Sequence, residues 1–474
     1  MIDEELRIPG EVGPTEPRSS LNITNRWLSV KWAARQMRRP GLRASSMALT
    51  DQAIVSGINF LTAVVLARHL PPTAYGYYVL LFAILLFVNG LQTAFITAPL
   101  MVFLPCYQAP QATRYLNSLS VIQVVGCAIT IVVAIGYFIL AKILGLDAAR
   151  VFSAAPLILV VTTYLTQEFA RRVLFAQGDS LGGSLVDVIS YGLQVAGLAG
   201  LIALGRLTLD SALWTIGVTS LLGSAFGFIR ARVSLFSVTR SDVMGTWREH
   251  WSHGQWLASG TLAQWGSSQL SYFVVAAMLS PAATALFAAS RNILGFTHVF
   301  LNGLENFVPN MMTRRLMDSG LGAMIRWLNR FQILTTALMT TYCIVIAVLA
   351  KPLLHVAFGD QYADAPKIVV LVAVSYLVIG LIRPLTIAVR VLGEPRWIFL
   401  AHLAAAIISL PLSAALIHVG GVFGAAISLI VAQVIAFIGV GFGYRRAVAR
   451  ARTARSAEDA RTDESLAAAE NAVA

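Results

Sequence analysis

The sequence contains 474 residues, of which 57% are hydrophobic and only 12% are charged, and its mean hydropathy is +0.72. A soluble domain has about 25% charged residues, so this composition excludes a globule with a water-facing surface. The net charge of +12 lies between and outside the apolar segments. It therefore favours contact with anionic inner-leaflet lipids over binding to nucleic acid.

Residues 1–45 are polar and basic and show no cleavable signal peptide, so we expect a cytoplasmic segment here. Within it, Trp27, Val30, Ala34 and Met37 recur at helical spacing, and most of the basic side chains lie off that stripe. This pattern predicts a short amphipathic helix that lies on the inner leaflet.

Twelve apolar segments follow, and each is long enough for a helix to cross a hydrocarbon core of about 30 Å. Backbone groups in lipid must be hydrogen-bonded internally, and the alternation that barrel strands require is not seen in the sequence. The predicted fold is therefore an all-α polytopic membrane protein. The predicted spans, numbered in chain order, are 47–67, 77–104, 117–141, 153–174, 183–205, 209–231, 256–279, 283–311, 329–350, 366–390, 397–418 and 422–443.

Basic residues are distributed unequally between the two sides of these spans. With the N-terminus inside, the cytoplasmic connections carry Arg114, Arg171, Arg172, Arg230, Arg232, Arg240, Arg248, Arg314, Arg315, Arg326, Arg330 and Arg396. The opposite side carries only Arg68, Lys142, Arg150, Arg206, Lys351 and Lys367. Cytoplasmic loops are the basic ones, so this bias predicts that both termini are cytoplasmic.

The two halves of the chain resemble each other. Residues 70–77 and 279–286 are short proline-containing turns, and each leads into a long span that carries a proline near its end, Pro99 or Pro309. Two matches at similar spacing indicate parallel six-helix repeats, an architecture of transporters that hold the substrate between the halves. The predicted units are a first lobe at 46–232, a cytoplasmic linker at 233–255, a second lobe at 256–444 and a cytoplasmic, disordered tail at 445–474.

Three acidic residues lie within the predicted spans and are candidates for coupling transport to an ion, because a buried charge in lipid is costly. These are Asp51 in span 1, Asp187 in span 5 and Glu305 in span 8. For Asp51 and Asp187, a carboxylate near the start of a helix is an equally good interpretation. Glu168, near the end of span 4, can pair with one of the two arginines that follow it by one turn.

Two arginines lie deeper in the predicted spans. Arg291 is about two turns into span 8, and Arg383 precedes Pro384 in span 10. One interpretation is an internal salt bridge of either arginine with Glu305. The other is a cationic cavity for an anionic cargo, plausibly a phosphate or diphosphate, because guanidinium groups bind phosphate in bidentate geometry.

Uncharged polar side chains extend this candidate cavity. The candidates are Asn59 in span 1, Gln264 and Gln269 in span 7, and Asn292 in span 8. Polar groups in lipid need partners, so contacts between helices are the alternative interpretation. We find no catalytic motif and no spacing typical of metal ligands, and we therefore expect no enzyme activity, metal or cofactor.

Several short segments resemble one known family. The run at 66–72, LARHLPP, followed by YGYY at 75–78, is similar to the opening of Wzx-type polysaccharide flippases. The segments RRVLFAQG at 171–178 and GQW at 254–256 also resemble members of that family. The family belongs to the MOP flippase superfamily, which also holds drug/cation antiporters and the lipid II flippase.

This resemblance implies a fold and a function. The fold is two six-helix lobes that form a V-shaped alternating-access transporter. The function is transfer of an undecaprenyl-diphosphate-linked oligosaccharide across the bacterial inner membrane during exopolysaccharide or O-antigen synthesis. A polysaccharide polymerase and a chain-length regulator are then expected partners. Arg291 falls on the helix where related flippases carry a cavity arginine.

Two other functions stay open. A drug/sodium or drug/proton antiporter of the same superfamily needs buried carboxylates, for which Asp51 and Asp187 are candidates. A membrane polysaccharide polymerase or ligase would have a similar number of spans. Such enzymes usually carry a large external loop, whereas the longest external stretch here, at 351–365, is short.

Overall fold

A computed structural model describes residues 42–145, 153–233, 238–362 and 365–473 of the chain. The amphipathic helix predicted within residues 1–45 lies outside these residues, as does the side chain of Asp51. The described chain is almost entirely helical. The helices of the first half are Leu42–His69, Pro72–Cys106, Ala109–Ile143, Ala154–Ala176, Ser180–Ala203 and Leu209–Ala231. Those of the second half are Arg240–Met278, Pro281–Asn292, Phe296–Val348, Ala350–Phe358, Pro366–Val391 and Arg396–Val473.

Two of these helices contain a break. The backbone at Gly320 has φ 78° and ψ 175°, and Gly421 has φ 56° and ψ −134°. Glycine adopts positive φ without a steric penalty, so the chain turns at these two residues. The breaks separate predicted spans 8 and 9 and spans 11 and 12, so the described residues contain a helix for each of the twelve predicted spans. Span 8 also includes a tight turn at 293–295 between Pro281–Asn292 and Phe296–Val348.

Length and apolar composition identify membrane-crossing helices directly. Within the described residues, seven helices are long and apolar enough to cross a membrane, and two of the seven are the helices divided by Gly320 and Gly421. Their large apolar side chains are extensively exposed, as with Val132 and Ile143 on span 3. Exposed apolar surface of this kind is stable only where lipid or protein covers it. The prediction of an all-α polytopic membrane protein is confirmed.

The predicted linker differs from the structure. Its residues from Arg240 onward form the first turns of Arg240–Met278, which begins with a capping box between Thr239 and Asp242. The rings of Trp247 and Trp251 pack on Phe95 of span 2. The helix continues because a good N-terminal cap starts it and no proline interrupts it.

The C-terminal tail also differs from the prediction. Helix Arg396–Val473 continues through residues 445–473. Near the start of this region, Arg450 pairs with Glu394, and Arg396 reaches the other oxygen of Glu394, with a distance of 2.9 Å from Nε to Oε2. The pair of Arg450 with Glu394 joins the end of span 12 to the connection before span 11, whereas the pair of Arg396 with Glu394 is local.

Spans 4, 5 and 6 pack closely on one another in the first half, and spans 7, 10, 11 and 12 do so in the second half. The halves meet where Pro72–Gln92 of span 2 packs on Pro281–Asn292 of span 8 and where Arg240–Met278 packs on spans 2 and 3. At this predicted outer end, Arg68 Nη1 donates a hydrogen bond of 2.7 Å to the carbonyl of Val356, and Gln361 donates to the carbonyl of Ala67. The two halves are therefore closed against each other at this end.

Candidate functional site

The acidic residues in the core of the first half are ion-paired. The carboxylate of Asp187, which is 2% exposed, lies 2.9 Å from Nη1 of Arg171 and accepts a hydrogen bond of 3.4 Å from Gln167. Glu168 binds both following arginines, with 2.6 Å to Nη2 of Arg171 and 2.8 Å to Nε of Arg172. The prediction that Glu168 pairs one turn away is confirmed. Two carboxylates and two guanidinium groups leave this cluster without net charge.

The first half also contains a partly open, largely apolar cavity. Asn59, the predicted cavity residue of span 1, lines it together with Gln194 and the rings of Tyr78, Tyr164 and Tyr191. The described walls of this cavity carry no arginine or lysine. It is therefore suited to apolar groups and not to a diphosphate.

The second half contains a seam of ionisable and polar side chains between spans 8 and 10, which we call the arginine seam. Its members recur at seven-residue intervals along each span, and a hydrogen bond joins His298 to Tyr376 while ion pairs join Glu305 to Arg383 and Arg390. The members are Arg291, His298 and Glu305 on span 8 and Tyr376, Arg383 and Arg390 on span 10.

Arg383 lies in an ion pair, as one of the two sequence interpretations proposed. Its Nη1 contacts Oε1 of Glu305, and Arg390 reaches the same carboxylate, with Nη2 3.1 Å from Oε1. Both partners of the Arg383 pair are partly exposed, the arginine side chain by 21% and the glutamate by 27%. One carboxylate therefore faces two guanidinium groups, and this end of the seam carries an excess positive charge.

Arg291 has a different environment. It is 9% exposed, its Nη1 donates a hydrogen bond of 3.0 Å to the carbonyl of Ser268, and its Nε has no hydrogen-bond partner. Its guanidinium carbon lies 4.6 Å from the ring centroid of Tyr272 and 5.8 Å from that of Phe287. Within the described part of the chain, no carboxylate pairs with it. Aromatic faces and a carbonyl stabilise the charge partly, but they do not neutralise it.

The other predicted site residues are dispersed. Asn292 donates a hydrogen bond of 2.9 Å to the hydroxyl of Tyr75 in the opposite half, so it joins the two halves at the outer end. Gln264 is exposed, and Gln269 is half-buried with an unpartnered side-chain oxygen. The structure brings together Arg383 and Glu305 but keeps Asn59 and Asp187 in the other half. The functional roles of all these residues stay predictions.

Sequence reasoning missed several members of this region, chiefly His298, Tyr376 and the nearby His402. Histidine and tyrosine are common at membrane interfaces, and so they carried no signal by themselves. The signal that could have found them is the seven-residue spacing from Arg291 to His298 to Glu305. Among the described residues, no group of three or more His, Cys, Asp or Glu side chains is placed to hold a metal ion.

The sequence matches no protein-family model and no curated protein. Solved structures, in contrast, resemble it over most of its length. An inward-facing multidrug resistance MATE family transporter of the MOP superfamily superposes with a TM-score of 0.70 at 12% identity, over 85% of this chain and 96% of that chain. A variant of the MATE transporter VcmN from Vibrio cholerae gives 0.60 at 16% identity, over 89% and 98%.

A third structure is a MOP superfamily transporter from Pyrococcus furiosus, for which a reversed polarity of the binding pocket suggests a different function. It superposes with a TM-score of 0.62 at 13% identity, over 87% of this chain and 96% of that chain. At these identities the similarity shows the fold. The chain has the fold of the MATE transporters of the MOP superfamily, a polytopic helical architecture of two six-helix lobes.

Proposed function

We propose that this protein is a transporter of an anionic, lipid-linked cargo, and specifically a flippase for polyprenyl-diphosphate-linked oligosaccharide. The observation that carries the proposal is the buried guanidinium of Arg291, which lacks a carboxylate partner in the described chain. An unpaired charge in the membrane core is unfavourable by several kcal/mol or more. Such a residue is retained where a ligand of opposite charge binds it.

The charge balance of the two halves supports an anionic cargo. The polar cluster of the first half is neutral, whereas the arginine seam contains three arginines and one glutamate. A diphosphate carries two negative charges and accepts bidentate hydrogen bonds from guanidinium groups. The apolar cavity of the first half offers no competing site for this group.

The drug/cation antiporter is the second candidate, because the similar structures include multidrug resistance transporters. A cationic drug needs a carboxylate that is free to bind it. Asp187 and Glu305 are both ion-paired with arginines, which makes the described part of the cleft a poor match for a cation. With either cargo, the protein would be a transporter and not an enzyme. A membrane polysaccharide polymerase or ligase is the third candidate.

The proposal includes a location and partners. The flippase would lie in the bacterial inner membrane with both termini in the cytoplasm. Its basic cytoplasmic connections would contact anionic lipids, and its product would be used by a polysaccharide polymerase and a chain-length regulator. These parts rest on the distribution of basic residues and on the family resemblance.

Replacement of Arg291 tests the proposal. In cells whose own copy is deleted, we expect Arg291→Ala to reduce surface polysaccharide about tenfold or more, since a hydrogen bond to a charged group contributes roughly 1.5–3 kcal/mol. Arg291→Lys should restore only part of the polymer, because lysine lacks the bidentate fork. Arg206→Ala, which removes an exposed arginine from the loop between spans 5 and 6, is the matched control.

Polymer yield must be compared at equal amounts of folded protein in the membrane. Full polymer from Arg291→Ala would contradict the proposed anion site. Normal polymer after deletion of the whole protein, together with lost drug resistance, would favour the antiporter instead.

A further inference from the structure

His298 lies in the middle of the arginine seam, where its side chain forms a hydrogen bond with Tyr376. Its Nε2 is 3.0 Å from the hydroxyl of Tyr376, and the two ring centroids are 5.5 Å apart. The side chain is exposed, although its partner Tyr376 is buried.

The charged groups around His298 are nearly all positive. Arg291 precedes it by seven residues on span 8, and Arg383 follows its partner Tyr376 by seven residues on span 10. Glu305, two turns further along span 8, is already bound to Arg383 and Arg390. Tyr376 is the uncharged group of span 10 that contacts the ring and also lies beside Arg291.

These neighbours make the charge of His298 depend on what occupies the seam. Two guanidinium groups disfavour a third positive charge while no anion is bound. A bound diphosphate would neutralise them and would itself attract the imidazolium. The histidine should therefore gain a proton when the anion arrives, because each ligand favours binding of the other by the same factor.

We propose that His298 is a proton-binding site linked to the cargo site, so that the anionic headgroup and one proton bind together. This inference rests on the proposed function, because it assumes that the seam binds an anion. His298 is also a titratable group that is free to change its charge, whereas the carboxylates are held in ion pairs. The seam would thus bind a proton and an anionic cargo in the same step.

The hydrogen bonds balance in both states. With the seam empty, the Tyr376 hydroxyl donates to Nε2 of the neutral ring, and the ring proton is on Nδ1. The incoming proton binds Nε2, which then donates to the Tyr376 oxygen. The hydroxyl proton of Tyr376 turns away from the ring and becomes available to donate to an oxygen of the bound diphosphate.

His402 provides a matched comparison. It also lies near positive charge, that of Arg383 and Arg390, but its recorded hydrogen bond is 3.3 Å from Nδ1 to the hydroxyl of Ser267. The contact of His402 with Ser267 is separate from the contacts that link Arg291, Tyr376 and His298. We therefore expect His402→Gln to leave proton uptake unchanged.

The test measures proton uptake on binding by the purified full-length protein in detergent. The probe is a short-chain prenyl diphosphate monosaccharide, a diphosphate diester without an acidic proton that titrates near neutral pH. Calorimetry in two buffers with different ionisation enthalpies counts the protons taken up. For wild type we expect close to one proton, and affinity that weakens by up to about tenfold per pH unit as pH rises.

His298→Gln and His298→Asn should bind the probe without proton uptake and without this pH dependence. Two variants are used so that misfolding of one of them does not decide the result, and gel filtration checks that each is folded. Proton uptake that persists in both variants, or that disappears in His402→Gln, would overturn the inference while leaving the anion site intact. Wild-type protein that fails to bind the probe, or Arg291→Ala protein that binds it normally, would overturn the proposed function itself.

Discussion

The ion-paired carboxylates within the described spans hold arginines between the helices. Asp187 is almost fully buried and contacts Arg171, and Glu305 lies between Arg383 and Arg390. A carboxylate in such a pair binds a proton or a metal ion only if the pair first opens. That opening leaves a guanidinium group without a counter-charge in the membrane core, which is unfavourable.

The pair of Asp187 with Arg171 leads to a stability prediction. Asp187→Asn keeps the side-chain shape but removes the negative charge, and so it takes one carboxylate partner from Arg171. We expect the free energy of unfolding in detergent to fall on the order of 3–5 kcal/mol, the usual cost of breaking a buried ion pair. Chemical denaturation followed by tryptophan fluorescence measures this change.

Asp318→Asn is the matched control, because Asp318 is exposed and forms no recorded ion pair within the described chain. If Asp187→Asn instead left the stability unchanged but abolished transport, Asp187 would again be a candidate for ion coupling. The two roles are thus separated by measuring stability and transport on the same variant.

At the scale of helices, the extension of span 7 carries the largest difference between prediction and structure. The spacing of Val243, Trp247 and Trp251 predicts an amphipathic helix, and a helix is present. Its apolar face, however, packs on Phe95, which is about 150 residues earlier in the chain. Periodicity identifies the apolar face of a helix but not the surface that covers it.

His250 anchors this extension to the first half. Its Nε2 is 2.8 Å from the hydroxyl of Tyr115, and its Nδ1 is 2.8 Å from the carbonyl oxygen of Phe95. The side chain is fully buried. Burial lowers the pKa of His250, while the nearby Glu249 and the hydrogen bond to Phe95 oppose this shift and His253 adds to it.

A pH dependence of stability follows, with a defined sign. Because the pKa of His250 is lower in the folded protein than in the unfolded chain, its contribution is complete above the ordinary histidine pKa of about 6.5. The contribution is lost as pH falls toward the lowered pKa, by up to about 1.4 kcal/mol per pH unit. We expect the thermal unfolding temperature to decrease as the pH is lowered from 7.5 to 5.

His250→Gln should be less stable than wild type at pH 7.5 and should lose part of this acid dependence. His418→Gln, at an exposed position near the end of span 11, should keep it. An acid dependence of equal size in His250→Gln and wild type would assign the effect to other groups.

At the scale of the whole molecule, the sequence predicts the spans well and the pairing between them poorly. Runs of apolar residues are a local property, so the predicted spans fall on observed helices, although Ala109–Ile143 and Arg240–Met278 begin well before predicted spans 3 and 7. The partner of Glu305 is not local: Arg291 and Arg383 were equivalent candidates, and only the packing of span 8 on span 10 selects Arg383. The contact of Asn292 with Tyr75 likewise depends on how the two halves meet.

The closure of the predicted outer end depends on a very close contact between the halves. A Cβ atom placed on Gly76 of span 2 would lie 1.8 Å from the carbonyl oxygen of Pro281 at the start of span 8. Only glycine allows the two helices to approach this closely. The ring of Tyr75 beside it also packs edge-on against Tyr362, with centroids 6.4 Å apart.

Gly76→Ala should therefore prevent this end from closing, because the added methyl group must move Pro281 by more than about 1 Å. Spin labels at the exposed positions Arg206 and Lys351, one in each half, should report longer and broader distances in the variant. Transport should fall together with this change, since an alternating-access protein must close each end in turn.

Gly136→Ala on span 3, where a Cβ meets no atom within 4 Å, should leave distances and transport unchanged. If Gly76→Ala kept the wild-type distances, the outer contact would not control the conformation, and closure would depend on the hydrogen bonds of Arg68 and Asn292.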